Sequence, residues 1–359
     1  MKVSEICKYA PKSNIKARDA CDGGKYVFFT SSADESKRYN AYQHEGEGII
    51  MGTGGNATLH YYDGKYAVST DCIVLLPNEQ IRCKYLYYFF LGNMRVLERG
   101  FKGAGLKHTN KGYIGDIDIG DIPSFERQEK IIGIFDTLQS IIDLRKSEIE
   151  RLDNLIKARF VELFGDPRDM SWEKRTLKEV CIKLNDGSHF SPESFETGDY
   201  KYVTAKNIKF SGFDFSNITY VPEAVHRPIF DRCNPEFEDV LYIKDGATTG
   251  VAIVNTLDEE FTLLSSVALL KQDRSIMNGY FLATLLNNKD MYLNIRNNMG
   301  GAAITRLTIA KLNAIEIIVP PIELQNQFAA FVAEVDKSKL MFQKLHQKLN
   351  ILQQKAGDI

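Results

Sequence analysis

The sequence predicts an α+β protein of two tandem α+β domains, each followed by a long helix, with the two helices paired as an antiparallel coiled coil. Two observations predict this organisation. The stretch IPSFERQEKI at residues 122–131 returns as VPPIELQNQF at residues 319–328. After each copy, apolar residues alternate at steps of four and three, the spacing of a coiled-coil seam. Such an internal duplication predicts halves related by a pseudo-twofold axis.

Each half begins with a globular domain. Short β-branched and aromatic runs broken by Gly, Asn and Asp, such as DVLYIKDGATTGVAIVN at residues 239–255, indicate a twisted sheet with short turns. Fainter matches between the two domains keep the same order along the chain and support a duplication. They pair residues 3–9 with 177–183, 25–27 with 201–203, 70–76 with 265–271, 85–91 with 280–286, and 103–105 with 300–302.

A long helix closes each half. Pro123 and the pair Pro320–Pro321 suit a first helical turn, because proline lacks only an N–H that would be unpaired there, and the sequence Gly-Asp-Pro from residue 165 ends the first helix. From Gln128 to Phe164 this helix would be about 55 Å long. The first seam is Ile131, Phe135, Leu138, Ile142, Arg145, Ile149, Leu152, Ile156, Arg159 and Leu163, and the second is Phe328, Val332, Val335, Lys339, Phe342, His346 and Leu349.

These patterns divide the chain into four segments. They are a first domain at residues 1–121, a first spacer helix at 122–168, a second domain at 169–318, and a second spacer helix at 319–359. A spacer of about 55 Å equals roughly 16 base pairs of duplex DNA. Two divergent domains held at that distance would read different sequences, so the expected target is an asymmetric, split DNA site whose gap is set by the helices.

Composition narrows the classes of partner. Lys plus Arg number 45 and Asp plus Glu 47, so no strong overall positive field attracts nucleic acid or anionic lipid. The six cysteines are scattered, without a Cys-x-x-Cys pair or a paired His, which predicts reduced thiols in a cytoplasmic protein and no metal site. The sequence has no apolar run of signal-peptide or membrane-spanning length and no cofactor-binding motif. We expect neither a cofactor nor a membrane partner.

The two proline-containing segments resemble the I-P-x-P-P-x-x-E-Q segment that opens each conserved helix in specificity subunits of type I restriction-modification systems. LNDGSHF (184–190), YVTAKNI (202–208) and KDGATTGVAIV (244–254) resemble the target recognition domains of those subunits. The resemblance covers essentially the whole chain, in the family's order of domain and helix. Ser124 replaces the second proline, and the Gln follows the Glu one residue late.

The resemblance implies a non-catalytic subunit with two target recognition domains that binds double-stranded DNA. It would select the site for two copies of a methyltransferase (modification) subunit, which dock on the conserved helices. A restriction and translocation subunit would join the assembly. Residues at the two helix starts are the expected contacts with the methyltransferase, although they would also serve as helix caps; they are Glu126, Gln128, Glu323 and Gln325.

Candidate DNA contacts lie in polar and basic loops beside glycines, since donors and acceptors on such loops reach phosphates and base edges. For any one of these residues a solvated turn is the alternative. In the first domain the candidates are Lys37, Arg38, Asn40, Thr53, Asn56, Lys102, Lys107, His108 and Lys111. In the second domain they are Ser188, His189, Lys206, Asn207, Lys244, Thr248, Thr249, Thr305 and Arg306.

Other functions compete with this interpretation. The stretch NPEF at residues 234–237 is similar to the N-P-P-Y/F signature of amino-methyltransferases, but Glu236 stands in place of the second proline, and we interpret the stretch as a turn. A scaffold with two protein-binding domains on a coiled coil would lack the salt-dependent affinity expected for DNA. A specificity partner of a fused methylase-nuclease is not distinguished by the sequence.

Overall fold

The computed structural model describes residues 1–103, 105–165, 171–297 and 306–356, with side chains up to residue 339. The chain divides into two compact units. The first contains residues 1–148 and the chain from residue 341 onward, and the second contains residues 149–340. Both divisions fall inside long helices, whereas the predicted domain borders fall at the helix ends. The domain borders at residues 121–122, 168–169 and 318–319 therefore stay a prediction.

The first unit contains one mixed sheet with helices packed on it. Its elements in chain order are α1 (Val3–Ile6), β1 (Cys7–Tyr9), β2 (Tyr26–Phe29), β3 (Arg38–Tyr39), β4 (His44–Gly52), β5 (Leu59–Val68), β6 (Cys72–Pro77), α2 (Cys83–Gly92), α3 (Met94–Glu98), α4 (Lys111–Gly115) and the first part of α5 (Phe125–Phe164). The strand order is β1-β6-β4-β5-β2-β3. The pairing of β2 with β5 is parallel and the others are antiparallel.

Alternation along the central strands of this sheet places apolar residues on both faces. Ile49 and Met51 of β4 pack in one cluster with Leu86 and Phe90 of α2. Ile50, between them in sequence, points to the other face and belongs to a second cluster formed by β2, β5 and β6. Both faces of β4 are therefore buried at its carboxyl end, which fixes the position of the loop that follows Gly52.

The second unit continues α5 and then forms a four-stranded sheet, a three-stranded sheet and two two-stranded sheets. Its further elements are β7 (Lys174–Thr176), α6 (Leu177–Val180), β8 (Cys181–Asp186), β9 (Tyr200–Val203), β10 (Ile208–Lys209), β11 (Gly212–Phe213), β12 (Thr219–Val221), α7 (Glu223–Arg232), β13 (Val240–Ile243), β14 (Ala252–Val254), β15 (Phe261–Leu263), β16 (Val267–Gln272), α8 (Gly279–Leu286), α9 (Lys289–Asn297), α10 (Ile309–Asn313), β17 (Glu316–Ile318) and α11 (Ile322–Ala356). Its main core lies between the four-stranded sheet, α8 and the end of α5.

The two domains share one strand order. The second unit has β8-β16-β13-β14 in one sheet and β15-β9-β12 in the other. This order matches the six-stranded sheet of the first unit if β14 and β15 together correspond to the single strand β5. The pairing of β15 with β9 is parallel, as is that of β5 with β2. The shared connectivity supports the predicted duplication.

One of the predicted sequence matches has the wrong register. Phe29 accepts a backbone hydrogen bond from Ser69 at 2.8 Å, and Val203 accepts the corresponding bond from Leu264 at 3.0 Å. Phe29 therefore corresponds to Val203, whereas the repeated KYV pairs Val27 with that residue. The match lies in equivalent strands but is displaced by two residues, because a period-two pattern tolerates such a shift without exchanging the faces of a strand.

Helix α5 begins three residues before the predicted Gln128 and ends at the predicted Phe164. The early start follows from Ser124, whose carbonyl accepts the first helical hydrogen bond from Gln128 at 2.9 Å. Gly165 has φ +80°, a left-handed conformation that glycine adopts without strain, and it terminates the helix. All ten predicted seam positions of α5 are buried or half-buried, while Leu144 and Leu155 off the seam are exposed.

Within the second unit, the end of α5 and the beginning of α11 are in contact. Phe160 and Phe164 pack edge-on against Phe328 at ring-centroid distances of 5.5 and 5.7 Å. Further along, Lys339 forms ion pairs with Asp153 at 2.7 Å and with Asp336 at 3.1 Å. These contacts occur in opposite order along the two helices. The predicted seam side chains of Phe342, His346 and Leu349 lie outside the described residues.

Two expectations from composition can be compared with the described chain. All six cysteines lie in the described ranges as free thiols, four of them buried. Burial raises the pKa of the Cys233 thiol to about 12. Within residues 1–103, 105–165, 171–297 and 306–356, none of the helices combines the length and apolar character needed to cross a membrane.

Candidate nucleic-acid interface

In the first domain, two of the predicted loops meet at the carboxyl end of β4. Ser31 connects them to the end of β2, since its hydroxyl accepts hydrogen bonds from the backbone of Thr53 at 3.0 Å and Gly54 at 3.3 Å. Gly54 forms an antiparallel bridge with His108. The Thr53 carbonyl also accepts a hydrogen bond from Thr109 at 3.0 Å. The loops at residues 53–56 and 102–109 therefore form one surface.

Most of the predicted side chains on this surface face solvent. Asn56, Lys102, Lys107 and His108 are exposed, whereas Thr53 is half-buried and donates its hydroxyl to the carbonyl of Asp71 at 3.0 Å. The backbones of Lys102 and His108 exchange two hydrogen bonds of 3.0 Å, which holds both basic side chains beside each other. This pairing makes the loop from Lys102 a short hairpin that presents three basic residues.

The remaining candidates of the first domain are more dispersed. Lys37 donates to the Thr30 hydroxyl at 3.1 Å, next to Ser31. The Arg38 guanidinium bonds the backbone carbonyls of Glu35 and Lys37. Asn40 follows Tyr39, which pairs with Tyr26 at the beginning of β2, so Asn40 lies at the opposite end of that strand pair. Lys111 lies over the Tyr9 ring, with 5.0 Å from its Nζ to the ring centroid.

In the second domain, the segment Leu264–Ser266 joins three of the predicted loops. Ser265 donates its N–H to the Ser188 carbonyl at 2.8 Å. Ser266 accepts the N–H of Ala205 on its hydroxyl at 3.2 Å and that of Lys244 on its carbonyl at 2.9 Å. Gly187 permits the close approach to β15, because a Cβ there would overlap the carbonyl oxygen of Leu263. The loops beginning at residues 186, 204 and 244 therefore form one edge.

A buried lysine lies at the centre of this edge. Lys244 is 2% exposed, and its Nζ lies 3.3 Å from Oδ2 of Asp186 and 3.0 Å from Oδ2 of Asp245. The other oxygen of Asp186 contacts His189 Nε2 at 3.0 Å, and the other oxygen of Asp245 contacts Arg306 Nε at 3.3 Å. Asp186 is buried as well, while His189 and Arg306 are exposed. We call these five residues the Lys244 network.

Burial divides the predicted DNA contacts of the second domain into two groups, and all of them stay predictions. Ser188, Asn207, Lys244 and Thr249 are buried, and each side chain has partners inside the domain. The Asn207 amide, for example, accepts from Thr204 and donates to the Asp214 carbonyl at 3.2 Å. These four side chains hold loops in place and do not reach the surface. Candidates that do are His189, Lys206, Thr248 and Arg306. Thr305 lies outside the described residues.

Sequence reasoning missed Arg232 at the end of α7. Its guanidinium lies 3.5 Å from Asp186 Oδ1 and also donates to the Gly187 carbonyl, so it joins the Lys244 network from a distant helix. A helix-terminal arginine offers no local sequence signal for such a role. Among the described residues, no group of three or more His, Cys, Asp or Glu side chains converges as a set of metal ligands.

The two domains carry different side chains on the same backbone framework. The Thr53 carbonyl accepts from Thr109, and Gly54 bridges His108. In the second domain the Lys244 carbonyl accepts from Leu307 at 2.8 Å, and Asp245 bridges Arg306. The equivalent positions are Thr53 and Lys244, Gly54 and Asp245, and His108 and Arg306. Equal main-chain geometry with unlike side chains is the arrangement expected of two domains that recognise different partners.

The glutamines of the repeated helix motif have an internal role. Gln128 is buried, accepts the Arg82 N–H at 2.8 Å and donates to the Pro123 carbonyl at 2.9 Å. Gln325 is buried too, accepts the Asn278 N–H at 2.9 Å and donates to the Pro320 carbonyl at 2.7 Å. Each therefore ties the start of a long helix to the start of α2 or α8. Contact of either glutamine with a partner stays a prediction.

The glutamates of the same motif stay candidates for partner contact. Glu126 and Glu323 are both exposed. In the first unit, Glu126 borders a groove formed by α2 and the first turns of α5, with Tyr85, Phe89 and Ile134 among its lining residues. The volume of this groove is about 570 Å³.

Comparison with known proteins agrees with this architecture. The family model described as type I restriction modification DNA specificity domain matches residues 1–154 and 170–352. The specificity subunit of type I restriction enzyme EcoDI from Escherichia coli is 24% identical over 157 residues, which cover 44% of this chain but 34% of the relative. The MjaVIII specificity subunit from Methanocaldococcus jannaschii is 22% identical over 312 residues, covering 81% of this chain and 72% of the relative.

A solved structure shares the fold. The crystal structure of the type I restriction-modification S subunit from M. genitalium superposes with a TM-score of 0.62 at 15% sequence identity, covering 99% of this chain and 94% of that one. The family model covers both halves of the chain, each of which contains one domain and one long helix. This chain therefore belongs to the type I restriction-modification DNA specificity family.

Proposed function

We propose that this chain is the specificity subunit of a type I restriction-modification system, in which each domain reads one half of a split, asymmetric DNA target. The observation that carries the proposal is the shared backbone framework with different side chains. Thr53, Gly54 and His108 occupy the positions that Lys244, Asp245 and Arg306 occupy in the second domain. Two such edges present different donors and acceptors, and base edges are distinguished by their donors and acceptors.

The exposed side chains of both edges are of the types that contact DNA phosphates and base edges. Lys102, Lys107 and His108 in the first domain and Lys206 and Arg306 in the second are exposed donors on loops held by backbone hydrogen bonds. Lysines of this kind contact phosphates and fix the register of the protein on the duplex, while residues in fixed orientations read bases. The predicted contacts that reach the surface therefore remain part of the proposal, and the buried ones support them.

The long helices are proposed to form an antiparallel coiled coil that sets the gap between the half-sites. Helix α5 contains 40 residues, which corresponds to about 60 Å at 1.5 Å per residue. The contacts of Phe160 and Asp153 with Phe328 and Lys339, in opposite order along α5 and α11, support antiparallel pairing. On this proposal the domains are related by a pseudo-twofold axis, and the length of the helices determines the number of base pairs between the half-sites.

Catalysis is proposed to belong to partner subunits. Two copies of a methyltransferase subunit would dock on the long helices, one near Glu126 and one near Glu323, and a restriction and translocation subunit would complete the assembly. The near balance of 45 basic and 47 acidic residues fits a subunit that shares its contacts with DNA with such partners. Action on chromosomal DNA would place the complex in the cytoplasm.

The decisive experiment is to coexpress the chain with its neighbouring methyltransferase and to map methylated adenines across the genome by single-molecule sequencing. The expected result is methylation confined to one split motif. Exchange of residues 1–121 for the first domain of another family member should change one half of that motif and leave the other half unchanged. Methylation that is absent, or indifferent to the exchange, would contradict the proposal and favour a protein-binding scaffold.

A further inference from the structure

The Lys244 network contains a buried charge whose burial requires a reason. A lysine ammonium in the interior is unfavourable unless carboxylates and hydrogen bonds compensate it. Lys244 meets this condition through one oxygen each of Asp186 and Asp245. Its position next to both carboxylates therefore fixes them relative to one another. A lysine that served only for solubility or phosphate attraction would be exposed instead.

The other oxygen of each carboxylate forms an ion pair with an exposed side chain, and Oδ1 of Asp245 is itself buried. Asp186 is 4% exposed, whereas the His189 that it contacts is 60% exposed. Asp245 is 20% exposed, whereas the Arg306 that it contacts is 59% exposed. The network thus connects a rigid, buried centre to two side chains that end in solvent. Side chains held in this way lose less conformational freedom when they bind a ligand.

The contact of Arg306 with Asp245 uses one nitrogen of the guanidinium. Asp245 Oδ1 contacts Nε of the guanidinium at 3.3 Å. No described residue forms a hydrogen bond or ion pair with its two terminal NH₂ groups among the recorded contacts. Two parallel donors at one end of a planar guanidinium match the O6 and N7 acceptors of guanine in the major groove. A lysine ammonium lacks this planar pair of parallel donors and matches the guanine edge less specifically.

The same contact disfavours a phosphate as the ligand of Arg306. The Asp245 carboxylate beside the guanidinium offsets its positive charge and repels an approaching anion. A neutral guanine edge experiences no such repulsion and needs only the two donors. Orientation by a carboxylate would also add little to a phosphate contact, which depends mainly on charge. The geometry therefore favours base readout over backbone binding at this position.

We infer that Arg306 reads a guanine in the half-site of the second domain, and that Lys244 positions it through Asp245. This inference rests on the proposed function and names one base within it. In the first domain Thr53, Gly54 and His108 occupy the equivalent positions. These residues cannot form the same lysine–aspartate–arginine arrangement, so this contact is specific to the second domain.

The test compares methylation motifs of the full chain coexpressed with its methyltransferase. Arg306→Ala should lower discrimination at one G·C position of the second half-site about 5- to 150-fold, the range expected for one bidentate pair. Arg306→Lys should lose the same discrimination although it keeps the charge. Arg175→Ala is the matched control, since Arg175 also binds a carboxylate through Nε, in its case Glu173 at 2.7 Å on β7.

Two further variants test the positioning role of the network. Asp245→Ala frees Arg306 from its carboxylate, so discrimination at the same base should fall while the slope of affinity against salt concentration steepens by about one. Lys244→Met leaves two carboxylates together and should relax the same position. A thermal unfolding scan of each complex shows whether the variant is folded. If Lys244→Met does not fold, Asp245→Ala alone tests whether the network positions Arg306.

The outcomes separate this inference from the proposed function. If the unaltered chain directs methylation to a split motif and Arg306→Ala leaves every base position unchanged, Arg306 is not a base reader. A uniform loss of methylation at all sites without a change in the motif would identify a phosphate contact and also overturn the inference. If the unaltered chain directs no methylation to a split motif, the proposed function itself fails.

Discussion

Gln128 and Gln325 give a physical reason for the motif that the chain carries twice. Each glutamine is buried at the start of a long helix and satisfies the first free N–H of a domain helix, Arg82 in one half and Asn278 in the other. Buried backbone groups without a partner cost about 1–3 kcal/mol each. A residue with both a donor and an acceptor is required at this junction, which explains its retention in two domains that otherwise differ.

Gln325→Ala should therefore destabilise the second domain. It removes the partners of the Asn278 N–H and of the carbonyls of Ile276 and Pro320, and we expect a loss of about 2–3 kcal/mol in the free energy of unfolding. Urea unfolding followed by fluorescence measures it, because the single tryptophan, Trp172, packs against the core of this domain. Equal unfolding midpoints for the variant and the unaltered chain would contradict this role.

The control for that prediction lies two residues earlier in the same helical turn. Glu323 is exposed, so Glu323→Ala should change the free energy of unfolding by no more than about 0.5 kcal/mol. The two variants also separate stability from partner binding. Loss of methyltransferase binding by Glu323→Ala, with stability unchanged, would support the proposed docking surface at the helix start.

At the scale of elements, the long helices were predictable and the details of the loops were not. The seam of α5 follows from periodicity alone, because a stripe of apolar residues must be buried wherever the helix packs. Lys244 was predicted as an exposed contact, since its sequence neighbourhood is polar. Its burial depends on Asp186, which reaches it only because β8 and β13 flank β16. A local pattern carries no information about such pairing.

The lysine on the α11 seam supplies a prediction about the helix pair. Burial by itself lowers the pKa of Lys339, but the hydrogen bond to Asp153 and the charge of Asp336 outweigh it and leave the pKa raised. Lys339 is therefore charged at neutral pH, and the raised pKa contributes stability there that is lost as the pH rises through the pKa of the folded protein. The contribution depends on Asp153, at 2.7 Å.

Asp153→Ala and Lys339→Leu should consequently have different effects. Asp153→Ala removes one of the two carboxylates that pair with Lys339, which is 15% exposed, and leaves Asp336. We expect the free energy of unfolding of the second domain to fall by about 1 kcal/mol. Lys339→Leu completes the apolar seam and should be neutral or stabilising. Urea unfolding followed by Trp172 fluorescence compares them. Similar destabilisation by both variants would show that packing of the lysine stem, rather than the ion pair, is what matters.

At the scale of the whole molecule, duplication is consistent with the proposal that one chain reads an asymmetric site. The strand order and the backbone contacts of the edge loops are shared, while the side chains at positions such as Gly54 and Asp245 differ. Exposed loop side chains can vary without loss of the fold, because main-chain hydrogen bonds and a few buried side chains hold the loops. If each domain reads one half-site, as proposed, the repeat gives the number of half-sites but not the bases of either one.

If the helices set the gap, their length should determine it independently of the half-sites. A heptad inserted in α5 between Gln128 and Phe164, with a matching heptad in α11, preserves the seam and lengthens the spacer by about 10 Å, or roughly three base pairs. Methylation mapping should then find both half-sites unchanged and the gap increased. A control that carries the same seven residues as a replacement keeps the original length and should keep the original gap. An unchanged gap in the insertion variant would mean that the helices do not measure the distance between the half-sites.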